Sequence, residues 1–166
     1  MDYTKTAGVL TISDKGSKGL REDKSGEVIV EILEKEGYLV RKKKIVPDNQ
    51  QVIAKTIIAW IDNEGIPLII TSGGTGLSPT DVTPQAMKQV IDFEIPGMAE
   101  AMRAASLMKT PHAMISRAMA GVRKKSLVIN LPGSPGGSKE NLEVVLPALD
   151  HALSKLAGDP TDCAKQ

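Results

Sequence analysis

The chain has 166 residues, 41% hydrophobic and 25% charged, a balance that fits one folded domain and excludes disordered and fibrous classes. Its formal net charge is +1 and aromatic content is 2%, so it offers neither a global field for nucleic acid or anionic lipid nor stacking platforms for bases. No signal-peptide core opens it, no apolar run approaches the ~18 residues of a membrane span, and the single cysteine, Cys163, excludes an internal disulfide or cysteine-rich metal site; a cytoplasmic protein without nucleic-acid or membrane partners is expected.

In chain order, residues 7–12 read as a buried first strand that ends at Ser13 and Asp14 and opens into the loop DKGSKGLRED. Val28, Ile29, Ile32 and Leu33 then recur at helical spacing, with Asp23 or Ser25 as cap and Gly37 as stop. Leu39–Val46 reads as a second strand, and its run Arg41, Lys42, Lys43, Lys44 suits solvated charges blunting an exposed edge. Pro47-Asp48-Asn49 starts a helix in which Ile53, Ile57, Trp60 and Ile61 share a face, and residues 67–70 form the third strand. After a glycine-rich stretch, Thr83-Pro84 is a cap-then-proline start for a helix carrying Met87, Val90 and Ile91. A further helix over 96–108 places Met98, Ala101, Met102 and Ala105 on one side, with methionine as core filler. Residues 118–122 and Ser126–Leu131 flank a short basic turn as two strands. The last helix shows Leu142, Val145, Leu146, Leu149, Leu153 and Leu156 at helical spacing, capped by Ser138. Strands alternating with helices predict an α/β domain with a mostly parallel sheet, and no linker or repeat divides residues 1–166.

In such sheets ligands bind beyond the carboxyl ends of the strands. Four loops qualify: SDKGSKG from Ser13, VPDN from Val46, TSGGTGLSPTD from Thr71 and NLPGSPGGS from Asn130. Gly73, Gly74 and Gly76 remove the Cβ atoms that would keep an anion from backbone N–H groups, so phosphate is the expected guest. The site is neither a Walker A loop, since Asp23 precedes Lys24-Ser25 where that motif needs glycine, nor an ordered G-x-G-x-x-G. Asp81 would repel phosphates unless magnesium bridged them, and Thr83 is better placed to cap the next helix. Asp48 has two readings, a site acid or the start of a capping box with Gln51. NLPGSPGGS likewise reads either as an anion site at a helix start or as a rigid turn. His112 and His151 stand apart from each other and from cysteine, so neither is assigned to a metal. Ser13, Ser72 and Ser134 have no neighbouring histidine to activate them as nucleophiles.

Taken together, SDKGSKGLREDKSG, SGGTGLSPTDVTPQA, SRAMAGVRKKSLVINLPGSPGGSKENLEVVLPALDHAL and GDPTDC resemble the MoaB/Mog family of molybdenum-cofactor biosynthesis proteins, bacterial molybdopterin adenylyltransferases above all. The resemblance implies a three-layer α/β/α sandwich and a homotrimer. It also implies an enzyme that transfers AMP from Mg-ATP to the terminal phosphate of molybdopterin, with pyrophosphate leaving and a molybdate-insertion protein acting downstream. By the same resemblance Gly73, Gly74, Thr75 and Gly76 form the phosphate loop, and Asp48 and Asp81 are the essential acids that hold Mg2+ through phosphates. Ser13, Asp14, Ser116, Pro132, Gly133 and Ser134 would line the pterin and nucleotide cleft, and Arg117 or Lys139 would help neutralise charge. Where many members have an arginine before the catalytic aspartate and an acid after Thr-Pro, this chain has Thr80 and Gln85. A binding-only paralogue, a tungsten-pathway member or a trimeric scaffold are the alternatives.

Overall fold

The computed structural model describes residues 4–161; of the GDPTDC segment, Asp162 and Cys163 lie outside them. Strand β1 (Thr6–Ile12) leads through a single-turn helix α1 (Asp14–Ser17) into α2 (Lys24–Lys35), β2 (Leu39–Val46) and α3 (Gln50–Asp62). Then come β3 (Leu68–Ser72), α4 (Thr83–Val90), β4 (Phe93–Glu94), α5 (Pro96–Leu107), a 3-10 turn (Pro111–Ile115), β5 (Ala120–Arg123), β6 (Ser126–Leu131) and α6 (Pro135–Ala157). The sheet order is β2-β1-β3-β6-β5-β4. β2, β1, β3 and β6 run parallel, while β5 and β4 are antiparallel additions at one edge.

Alternation along the central strands sorts the core into two layers. Ala7 and Val9 of β1, Leu68 and Ile70 of β3, and Leu127, Ile129 and Leu131 of β6 pack under α2, α5 and α6. Leu10, Ile12, Ile69 and Val128 face α3 and α4 on the other side, against Ile53, Ile57, Trp60 and Met87. The three-layer α/β/α sandwich with a mostly parallel sheet expected from the sequence is therefore observed. β2 is an edge strand, as its basic run suggested, and Lys42 and Lys43 lie along it as half-exposed side chains.

Several local expectations change. Asn49, not Asp48, caps α3, accepting hydrogen bonds from the N–H groups of Gln51 and Val52. Thr83 is the first residue inside α4 rather than its cap, and its hydroxyl donates to the carbonyl of Gly73. Ser134 caps α6 in place of Ser138, whose buried hydroxyl donates to the Pro132 carbonyl at 2.6 Å. On α5 the buried pair is Ala99 and Met102, whereas Ala101 is exposed.

Candidate active site

The chain leaves β1 toward β2 on one side and leaves β3 toward β6 on the other, so a crevice opens at the carboxyl ends of β1 and β3. A cavity of about 760 Å³ occupies it. Ser13, Gly73, Gly74, Asp48, Asp81, Gly133 and Ser134 are among its lining residues. A second cavity of about 550 Å³ opens on the other side of the glycine-rich loop, against Thr75, Gly76, Ser116 and Pro132. Gly74, Asp81, Gly133 and Ser134 border both, so the two form one cleft with the loop as its divider.

The loop is built by its glycines. Gly73 and Gly74 adopt φ of 101° and 67°, the left-handed region that side chains disfavour. A Cβ on Gly73 would strike the carbonyl oxygen of Ile12, and one on Gly74 would strike the Thr83 hydroxyl. In this shape every loop carbonyl from 73 to 76 is held from behind. Thr83 binds the carbonyl of Gly73 through its hydroxyl (2.8 Å) and that of Gly74 through its N–H (3.1 Å). Arg117 binds the carbonyl of Thr75 through its backbone N–H (2.9 Å) and that of Gly76 through Nε (2.8 Å). The amides of Gly74, Thr75, Gly76 and Leu77, by contrast, have no acceptor among the described residues. A run of peptides with tied carbonyls and unmatched N–H groups is an anion-binding concavity.

Two acids stand beside it. Asp81 is fixed by the Ser78 N–H, which donates to its Oδ2 at 2.9 Å. Asp48 is drawn off the start of α3 by the loop after β1: the Asp14 N–H donates to Asp48 Oδ2 at 2.9 Å, and the Asp48 N–H donates to Asp14 Oδ1 at 3.0 Å. Burial raises the Asp48 carboxyl above its ordinary value; the Asp14 amide opposes this, and the negative charges of Asp14 and Asp81 raise it further. Ser13 caps α1, its Oγ accepting from the Gly16 N–H at 3.0 Å.

A carboxylate such as Asp48, whose ionisation is opposed by burial and by neighbouring negative charge, suits a divalent cation. Among the described residues no group of three or more His, Cys, Asp or Glu could hold a metal alone. That donor set fits magnesium, which takes one or two carboxylates and completes its shell with substrate phosphates and water.

The Arg117 guanidinium is spent on loop carbonyls, and Lys139 is exposed and lines neither cavity. Cations the sequence did not single out line the cleft instead: Arg21 and Lys24 in the first cavity, Arg103 and Lys109 in the second. Of these, Lys109 pairs with Glu140 at 2.8 Å and Arg103 donates to the Ala118 carbonyl at 2.9 Å. His112 also borders the second cavity, although its isolation in sequence gave no sign of it. At the two departures from the family pattern, Thr80 shares a hydroxyl hydrogen bond with Ser78 (3.1 Å), and Gln85 Oε1 accepts from Arg117 Nη1 (3.4 Å).

Residues 8–151 match the family model described as a probable molybdopterin binding domain. The chain is 42% identical over 156 residues to the molybdopterin adenylyltransferase of Helicobacter pylori, covering 92% of this chain and 88% of that one. It is 41% identical to gephyrin of Dictyostelium discoideum over 92% of its own length but only 23% of gephyrin's. Among solved structures, the molybdopterin biosynthesis enzyme MoaB of Thermus thermophilus superposes with a TM-score of 0.88 at 48% identity, covering 95% of this chain and 99% of that one. With the fold, the loop order and the matched span in agreement, the chain belongs to the molybdopterin-binding MoaB/Mog family of molybdenum-cofactor biosynthesis proteins.

Proposed function

We propose that the protein is a molybdopterin adenylyltransferase of molybdenum-cofactor biosynthesis. The reading rests on its similarity to enzymes of that name and on one observation: a loop with unmatched amides and a flanking acid divides a cleft into two halves. Such a divider suits two anionic substrates that must meet. ATP and molybdopterin are the substrates, and a terminal phosphate oxygen of molybdopterin attacks the α-phosphorus of ATP. The new O–P bond forms as the bond to the β-phosphate oxygen breaks, and pyrophosphate leaves.

No side chain need become a covalent nucleophile, so the protein's contribution is alignment and charge stabilisation. The amides of residues 74–77 bind phosphate oxygens, while Asp48 and Asp81 are the groups that would hold Mg2+. When bound, the ion neutralises charge on the phosphates. Ser13, Ser116, Pro132, Gly133 and Ser134 shape the walls around the two substrates, while Asp14, which lines neither cavity, acts through the N–H that it donates to Asp48. We assign a single domain, a homotrimer and a cytoplasmic location, with a molybdate-insertion protein as the consumer of the product. No helix among the described residues is long and apolar enough to cross a membrane.

The deciding experiment incubates the protein with Mg-ATP and molybdopterin and looks by mass spectrometry for adenylylated pterin, with pyrophosphate measured in parallel. Bound pterin without either product would leave a binding-only protein. Light scattering reads the assembly; a particle of 17.7 kDa rather than three times that mass refutes the trimer.

A further inference from the structure

The four peptides with unmatched amides are held by two residues, and the division between them is informative. Thr83 holds the carbonyls of the peptides that carry the Gly74 and Thr75 N–H groups. Arg117 holds those of the peptides that carry the Gly76 and Leu77 N–H groups. Its guanidinium also reaches the Asp81 carbonyl through Nη2 at 2.7 Å and Gln85 Oε1 through Nη1 at 3.4 Å. One planar fork therefore joins the anion-binding turn, the backbone of the acid and the first turn of α4. Ser116 and Ala118, on either side of Arg117, give their carbonyls to Arg103, which anchors the fork's own backbone.

We propose that Arg117 is a positioning residue for phosphate binding: it fixes the spacing between the unmatched amides and Asp81 and does not itself meet the substrates. The inference rests on the phosphate-binding reading of the loop. A cation bonded to a peptide oxygen polarises that peptide, so the guanidinium on the Gly76 carbonyl makes the Leu77 N–H a stronger donor toward an anion, while the Arg117 backbone N–H fixes the peptide that carries the Gly76 N–H. The geometry also calls for arginine, because two carbonyls held by separate nitrogens of a rigid fork cannot be replaced by the single ammonium of lysine.

The test uses inorganic pyrophosphate with Mg2+ as the probe, titrated calorimetrically into the wild type, Arg117→Ala and Arg117→Lys. Loss of two charge-assisted hydrogen bonds should weaken binding by about tenfold or more in Arg117→Ala, with a smaller loss in Arg117→Lys. Millimolar guanidinium ion should restore part of the binding and of kcat to Arg117→Ala, a recovery that general loosening of the fold would not give. Thermal melts report folding, and if Arg117→Ala does not fold the lysine variant carries the comparison. Wild-type affinity in whichever variant folds, or absence of guanidinium rescue in a folded Arg117→Ala, overturns the assignment. A wild type that binds pyrophosphate yet forms no adenylylated pterin would sink the adenylyltransferase reading alone, while one that binds no pyrophosphate sinks the inference too.

Discussion

Asp14 and Asp48 exchange hydrogen bonds reciprocally, each backbone N–H donating to the other's carboxylate at 2.9 and 3.0 Å across the ends of β1 and β2. The exchange has a local cause and a distant effect. Neighbouring parallel strands end in register at Ile12 and Val46, so the loops that follow start side by side. Asp48 is thereby withdrawn from helix capping, which passes to Asn49, and lines the first cavity.

The two acids carry the first prediction. Asp48→Asn and Asp81→Asn keep the shape of the pocket but remove the charge that would hold the cation. AMP transfer should fall by roughly two to three orders of magnitude while pterin binding persists, as for the loss of other electrostatic stabilisers. Pyrophosphate release near the wild-type rate in both variants would refute their assignment.

Asp48 also predicts a pH dependence. Its folded-state carboxyl is raised above 3.8 by burial first and by the charges of Asp14 and Asp81 after that. It therefore favours the folded state below its unfolded value, and that contribution is lost as pH rises through the raised one. Near neutral pH its ionisation costs stability, so Asp48→Asn should melt higher than the wild type there, with the difference closing as pH falls. Asp14→Asn removes one source of the raise and should move the acid limb of activity to lower pH. A limb that moves to higher pH contradicts the electrostatic account.

Backbone shape at the loop is testable through its glycines. Gly73→Ala meets the Ile12 carbonyl and Gly74→Ala the Thr83 hydroxyl, each at positive φ. Each should cost about 1–3 kcal/mol of stability and abolish most pyrophosphate binding. Gly97→Ala, in the first turn of α5 with open space around its Cβ, is the control and should be neutral or slightly stabilising in denaturant melts.

Two serines of α6 separate capping from buried bonding. Ser134→Ala loses the acceptor for the Gly137 N–H and should cost about 1 kcal/mol. Ser138→Ala leaves the Pro132 carbonyl with only the longer 3.2 Å bond from Ser72, at a cost of about 1–3 kcal/mol. A larger loss in Ser134→Ala than in Ser138→Ala would reverse this assignment of roles.

The alternation of strands and helices, the basic edge strand and the glycine-rich loop could be read directly from residues 7–157, because period and glycine placement are local properties. So could the fold class and the strand ends that border the cleft. The sequence could not say which of several adjacent cap formers caps a helix. Asp48 and Asn49, or Ser134 and Ser138, are chemically equivalent until a distant group claims one of each pair: the Asp14 amide takes Asp48, and the Pro132 carbonyl takes Ser138. Two-residue β4 was likewise invisible, since its pairing with β5 rests on a partner some 30 residues away rather than on any periodicity of its own. The destination of Arg117 belongs to the same class. Its charge suggested a phosphate partner, but chain packing places it behind the loop, where carbonyls from residues 76 and 81 converge on one guanidinium. Long-range hydrogen bonds decide such competitions because each contributes about 1 kcal/mol, comparable to the local preferences that they override.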